Sequence, residues 1–210
     1  MIRLIHGIAI YPMSDIWKAG RMSKGTTQNL LPWHQREKWR RIDMFLLLPL
    51  KEEDKRSFFA DMQIAFQSGA EKEFGKINEE ILPKADIEEC IAKKGAAAYQ
   101  AMYDGKMVGG AIVVIDAKSG HNSLEFLYVK EGCQNKGIGC AIWETLEKLY
   151  PDTVVWETVT PYFEKRNLHF YINLCGFHAV EFYNPRHKDP FTPEDMIGGD
   201  YFFGFEKRMK

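Results

Sequence analysis

The chain has 210 residues, of which 27% are charged and 45% hydrophobic, and its formal net charge is −1. This length suits one domain that buries roughly 70% of its unfolded surface, and the small net charge gives no field that favours nucleic acid or a membrane surface. No apolar stretch approaches the roughly 20 residues of a membrane span, and the start of the chain is too weakly charged and too broken to predict a signal peptide.

The cysteine and histidine pattern argues against a metal site. The four cysteines form no Cys-x-x-Cys pair, and the six histidines are scattered along the chain. Zinc sites use these residue types at close, regular spacings, so the sequence predicts no metal. Free thiols are typical of a reducing compartment, and we therefore expect a cytoplasmic protein.

Residues 1–43 differ in composition from the rest of the chain. They hold eight Lys or Arg residues against three Asp or Glu residues, and their apolar residues follow no long period. We expect a basic N-terminal extension that is partly disordered or packed on the domain edge. The alternatives are a misassigned start, with the functional chain beginning at Met44, and a basic arm for a partner. Residues 44–210 are predicted to form one folded domain.

The first half of this domain is predicted to combine two helices with three strands. In chain order, the pattern indicates a strand over 44–50, a helix near 51–68, a helix near 84–93, and strands over 97–103 and 107–115. The first helix has a core face at helical spacing, made of Phe58, Phe59, Met62, Ala65 and Phe66. Asp104-Gly105 between the two later strands is a strong hairpin signal, because both residues tolerate positive φ.

A strand, a loop with two glycines and a helix follow one another in the middle of the chain. Residues 123–129 are rich in strand formers, and helical spacing begins at Ile138. Backbone N–H groups that lead into a helix N-terminus favour an anionic phosphate. Gly137 and Gly139 let the backbone approach a ligand without an intervening Cβ. The loop is therefore predicted to bind a ligand that carries a pyrophosphate.

The residues around these glycines exclude two common phosphate-binding motifs. A P-loop needs a Lys-Ser/Thr pair after its second glycine, but Cys140-Ala141 follows Gly139. A dinucleotide fingerprint needs a third glycine where this chain has Ile142. What remains is Gln134-x-x-Gly137-x-Gly139, placed after a strand that ends at Val129.

The C-terminal part alternates strands with helices. The predicted order is a helix from Ile138 that Pro151 ends, a strand over 153–159, a second helix capped by Gly176, a strand from Phe177 to about Tyr183, and a last strand over 201–205. The second helix has an apolar stripe of Leu168, Tyr171, Ile172 and Cys175. The long loop 183–193 is expected to form either a rim over a substrate site, with selectors of an acidic group at Arg186, His187 and Lys188, or a solvated loop.

Two motifs carry a family resemblance. Gln134-x-x-Gly137-x-Gly139 resembles the pyrophosphate loop of the GNAT superfamily of acyl-CoA N-acyltransferases, and Leu174-Cys175-Gly176-Phe177 resembles the end of its core. Over about 44–209, the resemblance implies an α/β (α+β) acyl-CoA N-acyltransferase fold, with a mixed, largely antiparallel central sheet flanked by about four helices. It implies an N-acetyltransferase that moves an acetyl group from acetyl-CoA to a primary amine, directly and in a ternary complex.

The resemblance also implies a cofactor site around the loop. The strand before the loop would hold the pantetheine arm by backbone hydrogen bonds, in a gap between this strand and its neighbour. The loop amides and the dipole of the following helix would hold the pyrophosphate. Lys136 would add a cation, with a solvated lysine as the alternative. The expected cofactor residues are Leu127, Tyr128, Val129, Gln134, Asn135, Lys136, Gly137, Ile138, Gly139, Cys140 and Asn167.

Amine attack on a thioester needs a base for the ammonium proton, and an acid assists the departing thiolate. The resemblance implies Tyr171 as the acid, although it lies five residues before Gly176 and the family tyrosine lies four before. Either the helix end holds one extra residue or Tyr171 is only a core aromatic. Glu125 is the expected base, with an exposed or salt-bridged glutamate as the alternative. Glu157 would bind the acceptor ammonium or act as the base instead.

Strand alternation adds one expectation about the strand that holds Glu125. It places Glu125, Leu127 and Val129 on one face of the sheet, and Leu124, Phe126 and Tyr128 on the other.

Two other functions stay open. One is an acyl-CoA-binding sensor or regulatory module that has this fold but no turnover. The other is a dinucleotide oxidoreductase, for which the glycine spacing is wrong. The acceptor is undetermined among small-molecule and peptide amines: a polyamine, an aminoglycoside, an amino acid, a peptide N-terminus or a protein lysine. A homodimer is possible, and no nucleic acid or membrane partner is expected.

Overall fold

The computed structural model describes residues 45–188 and 201–209. Three predicted features lie outside the described residues: the basic extension 1–43, the boundary at Met44, and residues 189–193 of the rim loop. These expectations stay predictions.

A seven-stranded sheet forms the centre of the fold, with its strands in the order β1-β2-β3-β4-β5-β7-β6. The strands are β1 (Phe45–Pro49), β2 (Ala96–Tyr103), β3 (Lys106–Val114), β4 (His121–Val129), β5 (Val155–Pro161), β6 (His178–Tyr183) and β7 (Phe202–Arg208). β4 and β5 run parallel, and the other neighbouring strands run antiparallel. The expected mixed, largely antiparallel sheet is confirmed.

Helices cover both faces of this sheet. They are α1 (Lys55–Phe74), α2 (Lys84–Ala92), α3 (Ile138–Leu149) and α4 (Lys165–Leu168), and α4 continues as a π-helical segment over His169–Leu174. α1 runs past the expected end near 68, because Ala70 is still buried, and it stops at Gly75, whose φ is 79°. Within the described residues, no helix is both long and apolar enough to cross a membrane.

Two hydrophobic clusters fill the space between helices and sheet. On the α3 side, Ile142, Leu146 and Trp143 pack against Trp156, Tyr171 and Phe205. On the side of α1 and α2, Phe58, Met62 and Ile87 pack against Ile112 and Tyr128. The hairpin between β2 and β3 turns at Asp104 (φ 51°) and Gly105 (φ 69°), as the sequence predicts.

A β-bulge in β4 overturns the predicted alternation of its side chains. Ile112 of β3 pairs with Phe126, and the next β3 residue pairs with Leu124, so the register skips Glu125. One extra residue in a strand moves the side chains that follow it to the opposite face of the sheet. Leu124 consequently packs in the α3-side cluster together with Leu127, whereas Phe126 packs in the α1-side cluster. The prediction that Leu124 and Phe126 share a face is wrong. The prediction that Glu125 shares a face with Leu127 is also wrong, because Glu125 contacts Cys90 of the α1-side cluster.

Candidate active site

β4 and β5 pair along only part of their length. Their parallel register covers three residue pairs and ends where Ser123 faces Glu157. One residue further on, the Thr158 Oγ1 donates to the backbone oxygen of Leu124 at 2.9 Å. Beyond this point, no described strand pairs with the β5-facing edge of β4, although β4 itself continues to Val129. The backbone polar groups on this edge can therefore bind an extended ligand in the way a neighbouring strand would.

A cleft of about 550 Å³ lies at this opening. β4, the 134–140 segment, α1, α4 and the π-helical segment all contribute to its lining. All of the predicted cofactor residues except Lys136 line it: Leu127, Tyr128, Val129, Gln134, Asn135, Gly137, Ile138, Gly139, Cys140 and Asn167. Glu125 and Tyr171 line the same cleft. The fold thus brings most of the predicted residues together in one place.

The two glycines of the loop meet different physical requirements. Gly137 caps α3 with φ 76°, and a Cβ there would meet no atom within 4 Å, so conformation rather than space favours glycine. At Gly139, a Cβ would lie 3.1 Å from the Phe170 ring, so close packing favours glycine. The first N–H groups of α3 have no carbonyl partner within the helix. Together with the helix dipole, they provide an anion site at the end of the cleft.

The Lys136 side chain does not line the cleft. Its Nζ donates to the backbone oxygen of Gly132 at 3.3 Å, and its side chain is exposed. The solvated alternative describes this placement better than the phosphate contact.

Tyr171 is buried, and its hydroxyl environment suits a proton donor. Burial raises the pKa of Tyr171 to about 12, and a hydrogen bond with Thr158 opposes part of that rise. The phenol is therefore neutral at physiological pH. Its ring packs against Phe177 and Phe205, which fixes its direction.

The π-helical segment explains the unusual spacing of Tyr171. The backbone N–H of Cys175 donates to the oxygen of Phe170, five residues earlier, at 2.9 Å. A π turn holds one more residue than an α turn, so the helix end does contain an extra residue before Gly176. The same turn leaves Ile172 43% exposed, and the predicted place of Ile172 in the apolar stripe is wrong.

Glu125 is held by three neighbours. Lys93, directly after α2, places its Nζ 2.8 Å from one carboxylate oxygen. Ser123 Oγ donates to the other oxygen, and the Cys90 thiol lies 3.7 Å away. Burial alone would raise the pKa of Glu125, but the hydrogen bonds from Lys93 and Ser123 outweigh it and bring the pKa below its usual value. Glu125 is therefore ionised at neutral pH and salt-bridged.

The remaining predicted residues differ in whether they line the cleft. Glu157 is exposed, does not line the cleft, and lies 3.3 Å from His121 Nδ1. Asn167 lines the cleft, and its amide nitrogen donates to Thr160 Oγ1 at 3.0 Å, which ties α4 to β5. In the rim loop, His187 lies 2.8 Å from Glu181 and does not line the cleft.

Sequence reasoning missed several polar residues of the cleft. Glu164 lines it, and burial raises the pKa of Glu164 above its usual value, while nearby Arg166 and Lys72 lower it. Arg166 donates to the Asn135 side chain at 3.4 Å and thereby connects α4 to the phosphate loop. No sequence pattern marks these residues, because they lie on elements that are far apart along the chain and meet only in the fold. In the described part of the chain, no group of three His, Cys, Asp or Glu side chains could hold a metal.

Comparison with known proteins agrees with this geometry. The model of the acetyltransferase (GNAT) family matches residues 59–177. An uncharacterised Bacillus subtilis protein, YrkN, is 44% identical over 168 residues, which cover 76% of this chain and 91% of that protein.

Solved structures share the fold at low sequence identity. The ribosomal-protein-S18-alanine N-acetyltransferase of Escherichia coli has a TM-score of 0.60 at 14% identity, and the match covers 80% of this chain and 95% of that one. The spermidine N-acetyltransferase of Vibrio cholerae, in complex with CoA and spermine, has a TM-score of 0.58 at 11% identity, covering 79% and 96%.

Proposed function

The chain belongs to the GNAT acetyltransferase family, and we propose that it transfers an acetyl group from acetyl-CoA to a primary amine, directly and in a ternary complex. The observation that carries this proposal is the open edge of β4, which lies beside an anion-binding loop in a cleft that also contains Tyr171. The edge of β4 would bind an extended pantetheine arm, the loop would bind the pyrophosphate, and the thioester would lie near Tyr171.

The loop and β4 would divide the cofactor between them. The α3 N-terminus and the backbone around Gly137 would bind the pyrophosphate, because helix amides and the helix dipole favour an anion. Backbone groups of Leu127, Tyr128 and Val129 would bind the pantetheine amides. Holding the thioester and the amine in attack geometry can supply roughly 7–11 kcal/mol of the barrier reduction.

The reaction needs no covalent enzyme intermediate. The amine nitrogen forms a bond to the thioester carbon, the carbon–sulfur bond breaks, and the thiolate takes a proton from an acid. The nitrogen loses a proton to water as the amide forms, and water returns a proton to the acid. We assign the role of this acid to the Tyr171 hydroxyl, which is buried and neutral. The leaving sulfur would be desolvated in the same cleft, and desolvation raises the pKa of a thiol too, so the proton affinities of the two groups come closer together.

We assign Glu125 as the group that receives the ammonium proton, through water. Its carboxylate is ionised and lines the cleft, but its low pKa makes it a weak base. Glu157 is exposed on β5 beside the point where β4 and β5 separate, and we propose that it attracts the ammonium of the acceptor. By their names, two fold neighbours act on an alanine of a ribosomal protein and on spermidine, so protein and polyamine acceptors are both candidates here.

The ion-paired state of Glu125 favours one alternative, a module that binds acyl-CoA without turnover. The two functions separate in a paired experiment. Calorimetry with acetyl-CoA measures cofactor binding, and release of the CoA thiol measures turnover on polyamines, aminoglycosides, amino acids and peptides. Turnover on one amine supports the enzyme, binding without turnover on all of them supports the module, and absence of binding contradicts both.

A further inference from the structure

Three cationic side chains lie along the cofactor cleft, on two different elements. Lys72 belongs to the last turn of α1, and Lys165 and Arg166 begin α4. All three line the cleft. The end of α1 also contacts the segment that precedes α4, because the Phe74 and Phe163 rings lie 4.8 Å apart. This ring contact keeps the end of α1 close to the start of α4.

Arg166 is the best placed of these cations for a ligand. Its guanidinium donates to the Asn135 side chain at 3.4 Å, and Asn135 belongs to the loop predicted to hold the pyrophosphate. This partner is a neutral amide oxygen. Within residues 45–188 and 201–209, no carboxylate lies within ion-pair distance of the Arg166 guanidinium, so its charge is not offset by a direct contact.

The carboxylates of the same region offset only part of the positive charge. Glu73 lies 3.6 Å from Lys165 and offsets part of the charge of that exposed lysine. Glu164 is half-buried, and burial disfavours its charged form. Lys72 and Arg166 thus face a single remaining carboxylate, Glu164, and this end of the cleft has a surplus of positive charge.

We propose that Lys72, Lys165 and Arg166 form a subsite for the 3′-phosphate of coenzyme A. This inference rests on the proposed function, since it assumes that the loop holds the adjacent pyrophosphate. In CoA, the 3′-phosphate sits on the ribose that carries the pyrophosphate, and Arg166 contacts Asn135 of the loop proposed to hold that pyrophosphate. A planar guanidinium matches a phosphate monoester in a two-bond geometry, and lysines add point charges around it. The protein would then distinguish CoA thioesters from their 3′-dephospho forms.

The test compares acetyl-CoA with 3′-dephospho-acetyl-CoA by calorimetry at fixed ionic strength. We expect the wild-type chain to prefer acetyl-CoA by on the order of 100-fold, since hydrogen bonds to charged groups are the strong ones. Arg166→Gln lowers this preference about tenfold by weakening acetyl-CoA binding alone. Lys72→Gln, a change on α1, also lowers the preference for acetyl-CoA over the dephospho form. Arg56→Gln is the matched control, because Arg56 is an exposed arginine near the opposite end of α1 and leaves the preference unchanged.

The outcomes separate this inference from the proposed function. Equal wild-type affinity for both ligands overturns the subsite and leaves the proposed function intact. If Arg166→Gln weakens both ligands by the same factor, Arg166 acts by holding Asn135 in the loop, and the subsite is again overturned. Failure of the wild type to bind either ligand contradicts the proposed function itself and, with it, the subsite.

Discussion

The Lys93 ammonium lies 2.8 Å from the Glu125 carboxylate and connects α2 to the bulge of β4. The bulge takes Glu125 out of the ladder with β3, and β4 and β5 stop pairing two residues before it. The residue that β4 leaves unpaired is thus the one that α2 holds, and its side chain lines the cleft. The ion pair sets both the position and the charge of the candidate base.

Lys93→Met is expected to raise the pKa of Glu125. Without the lysine, the carboxylate loses the largest contribution that lowers its pKa, while burial still raises that pKa. The acidic limb of the kcat/KM profile then moves to higher pH, if Glu125 must be ionised for turnover. Lys94→Met changes the neighbouring lysine, which does not contact Glu125, and should leave the limb in place. If Lys93→Met leaves the pH profile unchanged, Glu125 is not the base.

The same pair gives a stability prediction. The pKa of Glu125 is lower in the folded state than its ordinary value of 4.5, so it stabilises the fold above about pH 4.5. That contribution is lost as the pH falls through the lower, folded-state pKa. Urea unfolding at pH 7 and pH 3 should show a smaller pH-dependent loss in Lys93→Met than in the wild type. An equal loss in both proteins contradicts this account.

Gly137→Glu is expected to abolish acetyl-CoA binding, because its carboxylate would occupy the position of the pyrophosphate. The matched control is Gly132→Glu. Gly132 has a similar φ of 78°, also has open space around its Cβ position, and does not line the cleft. Both variants therefore carry the same backbone strain and added charge. Calorimetry should show loss of binding only in Gly137→Glu, and retained affinity there argues against the loop assignment.

Tyr171→Phe is expected to lower kcat by roughly 100-fold, the usual range for loss of a general acid. The cofactor affinity should change little, because the ring still packs against Phe177 and Phe205. Tyr150→Phe controls for the loss of a hydroxyl outside the cleft, since Tyr150 bonds to Tyr99 instead. Steady-state kinetics distinguish the two, and an unchanged kcat in Tyr171→Phe assigns that hydroxyl to structure.

Gly139→Ala is expected to cost about 1–3 kcal/mol, as overpacking of a tight contact does. The new Cβ would lie 3.1 Å from the Phe170 ring. Adding Phe170→Leu should recover most of this loss by making room. Urea unfolding of the single and double variants measures both steps. A double variant that is as unstable as the two single changes added together contradicts the packing explanation.

The sequence predicted the order of the elements and the position of the glycine-containing loop before α3. This was possible because the relevant signals are local. Asp104-Gly105 sets a hairpin, and Gly137 sets the start of α3 through backbone conformation alone. The failed predictions concern Leu124, Glu125 and Ile172, and each comes from a single extra residue in a strand or helix. A bulge or a π turn depends on what the neighbouring element offers, so a fixed period cannot anticipate it.

The amino-acid sequence by itself determined that this chain has a strand, a loop with two glycines and a helix in this order. Tertiary structure alone decided which side chains meet at that loop. Arg166 reaches Asn135, Lys93 reaches Glu125, and the cleft between β4 and β5 opens where their pairing stops. The reason is that local backbone conformation depends on residues that are neighbours in the sequence. Charge pairing and cavity shape depend instead on segments that folding brings together from distant parts of the chain.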